Sequence, residues 1–256
     1  MPCVVTVHDL IHLQFYTRMH AAYYNWVLLP LYRRCSKVIV VSEHTRQQFL
    51  NWSGITPANV VTIYNGVSDS FLNAKPDPKF DFRYVFYPGN HRNYKNIHRL
   101  IQAFARSGLP QAGIHLVFTG QYQPKLLTHV ANELVNLIHF VGDISSSDLV
   151  RLYKSAHVVA FVSLSEGFGL PILEAMASGV PVLTSNLSAM PEVAGGAALL
   201  VDPYSVDEIS NGLNALSFDL PLRSTKIGLG LERVKQFRWD AAARTLWSLI
   251  ESLHII

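Results

Sequence analysis

The chain has 256 residues, 49% of them apolar and 15% charged, with a mean hydropathy of +0.19. That composition excludes a disordered chain, and two cysteines, Cys3 and Cys35, are too few for a disulfide scaffold. The formal charge of +3 comes from residues 1–80, where seven basic side chains meet four acidic ones. This excess is too slight for nucleic-acid binding, and leaves open an acidic membrane surface, a phosphorylated substrate or a chance imbalance.

The length allows one large domain or two ordinary ones. No run of eighteen apolar residues occurs, so no bilayer-spanning helix is expected. The opening MPCVVTVHDL has no basic region and meets His8 and Asp9 early, so no signal peptide is read. With so few cysteines the expected compartment is reducing and cytoplasmic, and both thiols are expected in the core.

In chain order, the β-branched run Val4–Val7 reads as a strand buried on both faces, followed by similar runs at Lys37–Val41 and Val60–Ile63. Ala21–Tyr32 reads as a helix interrupted at Pro30. Glu43–Trp52 reads as a helix capped by Ser42. Residues 73–81 (NAKPDPKFD) hold two prolines and no apolar period, and mark a linker.

After it, strands are expected at Tyr84–Tyr87, His115–Thr119, Leu137–Val141, Val158–Ser163, Val182–Thr184 and Ala198–Val201. The intervening helices are expected at Ile97–Ser107, Pro124–Leu134, Asp148–Ser155, Leu170–Ser178 and Val206–Leu216. Such alternation predicts a doubly wound α/β sheet. A complete Rossmann-like domain fits into 82–236, whereas residues 1–72 hold about half of one. Trp239–Leu253 closes the chain as an amphipathic helix with Leu246, Leu249, Ile250 and Leu253 on one face.

The segment Ser165–Ser178, SEGFGLPILEAMAS, is the most informative. It lies between two apolar strands, at the carboxyl end where open α/β sheets bind ligands. Gly167 and Gly169 let backbone amides approach a ligand, and Pro171 suits a first helical turn. The helix N-terminus then offers free amides to an anion, most simply a phosphate. Glu166 and Glu174 stand eight apart. A carboxylate one turn below the loop suits neutral hydroxyls rather than phosphates; on spacing alone, a solvated helix residue is equally open.

The segment from Glu166 to Val193 resembles the donor-site signature of the family-4 glycosyltransferases, retaining enzymes of GT-B architecture, whose E-x7-E pattern Glu166 and Glu174 meet. The resemblance continues through VVTVHDL (4–10), VIVVSEHTRQQF (38–49), YNGVSDSF (64–71), YPGNHRNYKNIHRLIQAF (87–104), FVGDISSSDLVRLYKSA (140–156) and GGAALLVDP (195–203). It implies a GT-B-like α/β fold: a partial N-terminal, acceptor-side Rossmann-like domain (1–72), the linker 73–81, a complete nucleotide-sugar-binding domain (82–236), and a last helix (237–256) returning to the first domain.

It further implies transfer of a hexose from a nucleotide-diphospho-sugar, GDP-mannose being one guess, to an acceptor hydroxyl in polysaccharide or lipopolysaccharide synthesis. By the resemblance, Glu174 would hold the donor ribose. Glu166 would meet the donor sugar, with the amides of Gly167, Phe168, Gly169 and Leu170 around sugar and phosphate. Lys95, six residues after Gly89, would neutralise the leaving diphosphate. Where the family often has an arginine after that glycine, this chain has Asn90, leaving Arg92 or His91 to supply the charge. Ile144 would pack near the nucleobase, and His8 would face the donor sugar across the cleft.

No Asp-x-Asp motif occurs, so neither a metal nor another cofactor is implied. His8 and His12 are four apart, a metal-binding spacing only on a helix, and His8 ends a strand. The aromatic run Tyr23–Leu31 beside Arg33 and Arg34 either packs on the first sheet or lies peripherally on the inner membrane face. The family's N-terminal glycine-rich loop does not precede VVTVHDL. The implied alternatives are a donor-binding fragment without activity or a subunit whose partner supplies the missing strands. The implied acceptor is a sugar or lipid-linked sugar.

Overall fold

A computed structural model describes residues 3–128 and 130–253. It contains two parallel sheets. The first has three strands in the order β1 (Val4–Val7), β2 (Lys37–Val40), β3 (Val60–Thr62). The second contains β4 (Tyr84–Tyr87), β5 (His115–Phe118), β6 (Ile138–Phe140), β7 (Val158–Phe161), β8 (Val182–Ser185) and β9 (Leu199–Val201), in the order β6-β5-β4-β7-β8-β9. Every residue of β4, β7 and β8 is buried, as their unbroken apolar runs require of a sheet covered on both faces. The strand order reverses between β4 and β7, so the loops leaving these two neighbours diverge and open a crevice between them.

The strands follow the expected bounds to within two residues at each end, but β1 is not buried on both faces: Val7 is buried, Val4 and Val5 are half-buried and Thr6 is exposed. The helix Ile97–Arg106 buries Ile97, Leu100, Ile101 and Phe104, the apolar face its spacing predicts. Ser42 caps the helix Glu43–Ser53 by accepting a hydrogen bond from the Thr45 amide at 3.0 Å.

Four further expectations are corrected. The chain is helical from Arg18 to Tyr32 rather than broken at Pro30, because Tyr24–Leu28 is a π-helical turn in which the Leu29 amide bonds Tyr24 O, five residues back. A wider turn absorbs the missing proline donor. Pro124–Leu134 is not one helix: a 3-10 turn (Pro124–Leu126) ends where Thr128 Oγ1 donates to Lys125 O at 3.2 Å, and a short helix follows at Asn132–Val135. A helix at Leu220–Arg233 was not anticipated, although Asp219 caps it and Pro221 occupies its first turn. Cys3 is exposed and Cys35 half-buried, with their sulfurs 3.6 Å apart just ahead of β1 and β2.

The two sheets have separate cores. The first is small, built on Val7, Leu10, Val38, Val40, Phe49 and Val60. The second is much larger and also takes in Val41, Val67 and Phe71. Tyr24 and Tyr32 turn inward onto the first core, while Met19 and Trp26 on the same helical run are each 81% exposed. The helix Trp239–Ser252 faces the first sheet across a cavity of about 310 Å³, which Trp239, Ala242, Ala243 and Leu246 line together with Thr6, Ile39 and Ile63.

Contacts at several points join the units. The Val67 amide donates to Phe237 O at 3.0 Å, and Gly66 comes so close to Trp239 that a Cβ would lie 2.2 Å from its amide nitrogen. Gly167 meets the end of β1. Finally, the Glu192 carboxylate accepts hydrogen bonds from the Glu43 and His44 amides, at 2.7 and 2.9 Å, across the N-terminus of the helix Glu43–Ser53. A carboxylate there satisfies two otherwise unpaired donors and complements the positive end of the helix dipole.

Replacing Glu192 with alanine removes both bonds. The expected effect is a loss of about 1–2 kcal/mol, concentrated in the helix Glu43–Ser53. Amide exchange of that helix should quicken while β4 and β7 stay protected. Equal protection in variant and parent would show that the contact holds nothing.

Candidate functional site

The crevice at the β4/β7 reversal gathers most of the residues singled out in the sequence. After β4 the chain passes Gly89 in a left-handed conformation (φ +134°), whose amide donates to Thr119 Oγ1 at 2.7 Å while its carbonyl accepts from the same hydroxyl at 2.9 Å. This ties the loop to the end of β5. The loop then runs to Lys95 and Asn96. After β7 it is Glu166 to Leu170 that line the opposite side. The Leu164 amide donates to Tyr94 O at 2.7 Å, holding the two loops together.

Lys95 and Glu166 form the centre. Lys95 Nζ lies 2.7 Å from Glu166 Oε1, and their side chains are only 12% and 11% exposed. Phe161 and Tyr94 present their rings to the same ammonium, at 5.0 and 5.4 Å. Burial pushes the Glu166 carboxyl above its usual range, against the opposing pull of the Lys95 charge and hydrogen bond.

Both residues are braced by neighbours that the sequence reading did not single out. Asn96 is buried with φ +61°, and its Nδ2 donates to Val162 O at 3.0 Å and Pro203 O at 2.7 Å. Ser188, also at φ +61°, accepts from the Glu166 amide at 3.0 Å and donates to Glu166 O at 2.6 Å. Among the described residues these are the two non-glycine positions with positive φ, and each fixes one partner of the ion pair.

A cavity of about 210 Å³ adjoins the pair. His8 and Asp9 line it from the first unit, and Glu166 through Pro171 from the second. Val41 and Asn65 complete its wall, and they and His8 also line the larger cavity beneath the last helix. Asp9, Asn65 and Val41 were not among the site residues expected from the sequence; the signal for the first two was their adjacency to His8 and Gly66 in the VHD and YNG segments. Gly167 sits so close that a Cβ would lie 1.9 Å from His8 O, and its carbonyl is within reach of the Ser42 and Thr45 hydroxyls, at 2.6 and 2.8 Å. Among the described residues the amides of Gly167, Phe168, Gly169 and Leu170 make no hydrogen bond to the protein. Unpaired amides at a helix N-terminus are suited to an anion. The Phe168 ring itself is buried beside Tyr64 and Phe237, with ring centroids 6.2 and 5.9 Å away.

Other residues stand apart from this cavity. Glu174 lies one turn into the helix Leu170–Ala177, largely buried, with Tyr153 Oη 2.6 Å from its Oε2. Burial raises its carboxyl above the usual range and the tyrosine hydrogen bond lowers it, burial being the larger influence. A solvated helix residue, the alternative left open by spacing, is thereby excluded. Asn90 accepts from the Arg92 amide at 3.3 Å through Oδ1, and its carbonyl accepts from Tyr87 Oη at 3.1 Å. Arg92 reaches across to the Tyr16 hydroxyl of the first unit. His91 is committed elsewhere: its Nε2 is 2.7 Å from Thr119 O and its ring packs beside Gly120. Ile144 is half-buried in the loop after β6, ahead of the helix Ser146–Ser155 that carries Tyr153.

Substituting Lys95 with methionine would leave Glu166 buried without its cation. Near neutral pH the expected destabilisation is about 3 kcal/mol. Glu166 would then titrate still further above its unfolded value, so the folded state binds the proton first. The penalty is therefore present at neutral pH and is lost as pH falls through the folded pKa. Urea unfolding at neutral and at mildly acid pH would show the gap between variant and parent narrowing; a constant gap would contradict it.

Family models place this arrangement. Residues 70–225 match the model described as Glycosyl transferases group 1, and residues 1–71 match Glycosyltransferase Family 4. The O-antigen chain mannosyltransferase B of Escherichia coli is 30% identical over 217 residues, covering 79% of this chain and 57% of the relative. The MMP alpha-(1->4)-mannosyltransferase of Mycolicibacterium hassiacum is 30% identical over 271 residues, covering 94% and 63%. The chain thus spans somewhat more than half the length of the curated relatives it matches. Among solved structures, Anabaena HepE in complex with UDP and glucose superposes with a TM-score of 0.86 at 22% identity, covering 98% of this chain and 72% of HepE. Sucrose-phosphate synthase from Thermosynechococcus elongatus does so at 0.83 and 24% identity, covering 98% and 68%. The fold is therefore that of GT-B glycosyltransferases, and the chain belongs to the family-4, group 1 glycosyltransferases.

Proposed function

We propose that the protein takes part in hexosyl transfer from a nucleoside-diphospho-sugar to an acceptor hydroxyl, with retention of the anomeric configuration. The observation that carries this reading is the buried Lys95–Glu166 pair beside four unpaired amides at a helix N-terminus. Cleaving a glycosyl–phosphate bond sends its electron pair onto the diphosphate while an oxocarbenium-like sugar develops. Lys95 and the amides of Gly167 to Leu170 are suited to that developing anion. Glu166, held by Lys95 and Ser188, suits the sugar hydroxyls, and His8 faces the same space from the first unit. Glu174, deeper on the helix, suits the ribose hydroxyls.

In front-face transfer the acceptor oxygen bonds the anomeric carbon as the sugar–phosphate bond breaks, and the acceptor proton passes to the departing phosphate. A glycosidase-type carboxylate pair is not required. Neither a metal nor another cofactor enters this scheme. The mannosyltransferase names of the relatives support mannose as the sugar and O-antigen or a related polysaccharide as the product class. They do not identify the base: HepE, the structural neighbour, holds UDP. An acceptor carried on a lipid would bring the exposed Met19 and Trp26 face toward the bilayer; among the described residues no helix is long and apolar enough to cross it.

A second reading is a donor-binding unit completed by further polypeptide. It is favoured by the outer edge of β1, which has no paired strand among the described residues, and by Trp239 and Trp247 on the last helix, 51% and 53% exposed.

Both readings are tested by incubating the protein with GDP-mannose, UDP-glucose and related donors and measuring nucleoside diphosphate release. Transfer predicts release that falls at least a hundredfold in Lys95→Ala and Glu174→Ala, equivalent to about 2.7 kcal/mol of barrier. Thermal stabilisation by a donor without release favours the donor-binding unit. Release equal to that of the parent in both variants would remove the site assignment.

A further inference from the structure

The Glu174 carboxylate is not free to choose its orientation. Among the described residues the Tyr153 hydroxyl is the one side-chain donor that reaches it, at 2.6 Å, and it engages Oε2 alone. Tyr153 is itself fully buried on the helix Ser146–Ser155, with its ring held edge-on by Phe86 and Phe71 at 5.1 and 5.3 Å. Two helices from different parts of the chain thus meet at a single hydrogen bond, and the ring behind it is clamped by the core.

That geometry has a chemical consequence. An ionised carboxylate is an acceptor through both oxygens, and a donor locked onto one of them sets the plane and direction of the other. We propose that Tyr153 is a positioning residue: by holding Oε2 of Glu174, it presents Oε1 in a fixed direction to the hydroxyls of the donor's ribose and so makes the site select ribonucleotides. The proposal rests on the reading that Glu174 meets the ribose. The tyrosine bond also opposes the rise that burial imposes on this carboxyl. Simple satisfaction of a buried hydroxyl would not need the carboxylate of a site residue, since a backbone carbonyl serves as well: Tyr84 on the neighbouring strand donates to Leu152 O at 2.8 Å.

The test compares affinities for three probes by calorimetry: whichever of UDP and GDP the parent binds more tightly, its 2′-deoxy counterpart, and inorganic pyrophosphate. Tyr153→Phe keeps the ring and removes the hydroxyl. It is expected to cut the preference for the ribonucleotide over the deoxynucleotide about tenfold or more, the effect of losing a charged hydrogen bond, and to leave pyrophosphate binding unchanged. Glu174→Gln should cut the same preference, and the double variant should lose little more than either single one, because the two act as a unit.

If Glu174→Gln cuts the preference and Tyr153→Phe does not, the positioning role is overturned and the ribose reading stands. If Glu174→Gln leaves the preference intact, the ribose reading fails and the proposal with it. Equal weakening of all three probes by Tyr153→Phe would mark a structural residue only, and would also overturn it.

Discussion

The close approach of Gly167 to the end of β1 is the constraint on which the site depends. At this point the backbone of the second unit lies against the His8 carbonyl with no room for a Cβ, and its own carbonyl faces the Ser42 and Thr45 hydroxyls that cap the helix Glu43–Ser53. The same loop therefore closes the joint between the units and offers its unpaired amides to the cavity. Glu192 reinforces the joint from a second direction by taking the first two amides of that helix. A small first core with six fully buried apolar side chains gains its placement from these contacts rather than from its own interior.

Within the crevice, two buried carboxylates are kept distinct by their partners. Glu166 faces a cation, and Glu174 faces a neutral phenol. An ion pair with little exposure orients both members strongly, whereas a single hydrogen bond orients a carboxylate while leaving an oxygen available. The positive-φ residues Asn96 and Ser188 spend backbone strain in bracing the loops that carry Lys95 and Glu166. Each group is thus positioned from behind by packing that does not itself line the cavity.

Much of this was legible in the chain. Unbroken apolar runs marked the strands, because a parallel sheet covered on both faces needs both sides of each strand apolar. The 3.6-residue period marked the helix Ile97–Arg106, and Glu166, Gly167, Gly169 and Glu174 stood out by spacing. The errors fell where local and tertiary demands diverge. Pro30 broke the helix on propensity but not in the fold, since a π turn made room for it. Pro124–Leu134 carried helical spacing yet lost its middle to a competing side-chain hydrogen bond. Tyr153 was not singled out, because nothing in its local pattern points to a partner twenty-one residues away.

The sequence by itself determined the order of the strands along the chain, the α/β class, the family and the residue types that carry chemistry, because periodicity and motif spacing are local properties. Tertiary structure decided which of those residues meet. The reversal between β4 and β7 brought Lys95 to Glu166, the inter-unit joint brought His8 and Asp9 to Gly167, and the packing of two distant helices gave Glu174 its hydroxyl donor. These are contacts between segments far apart in the chain. Their distances depend on how sheets and helices pack in three dimensions, and no local pattern encodes them.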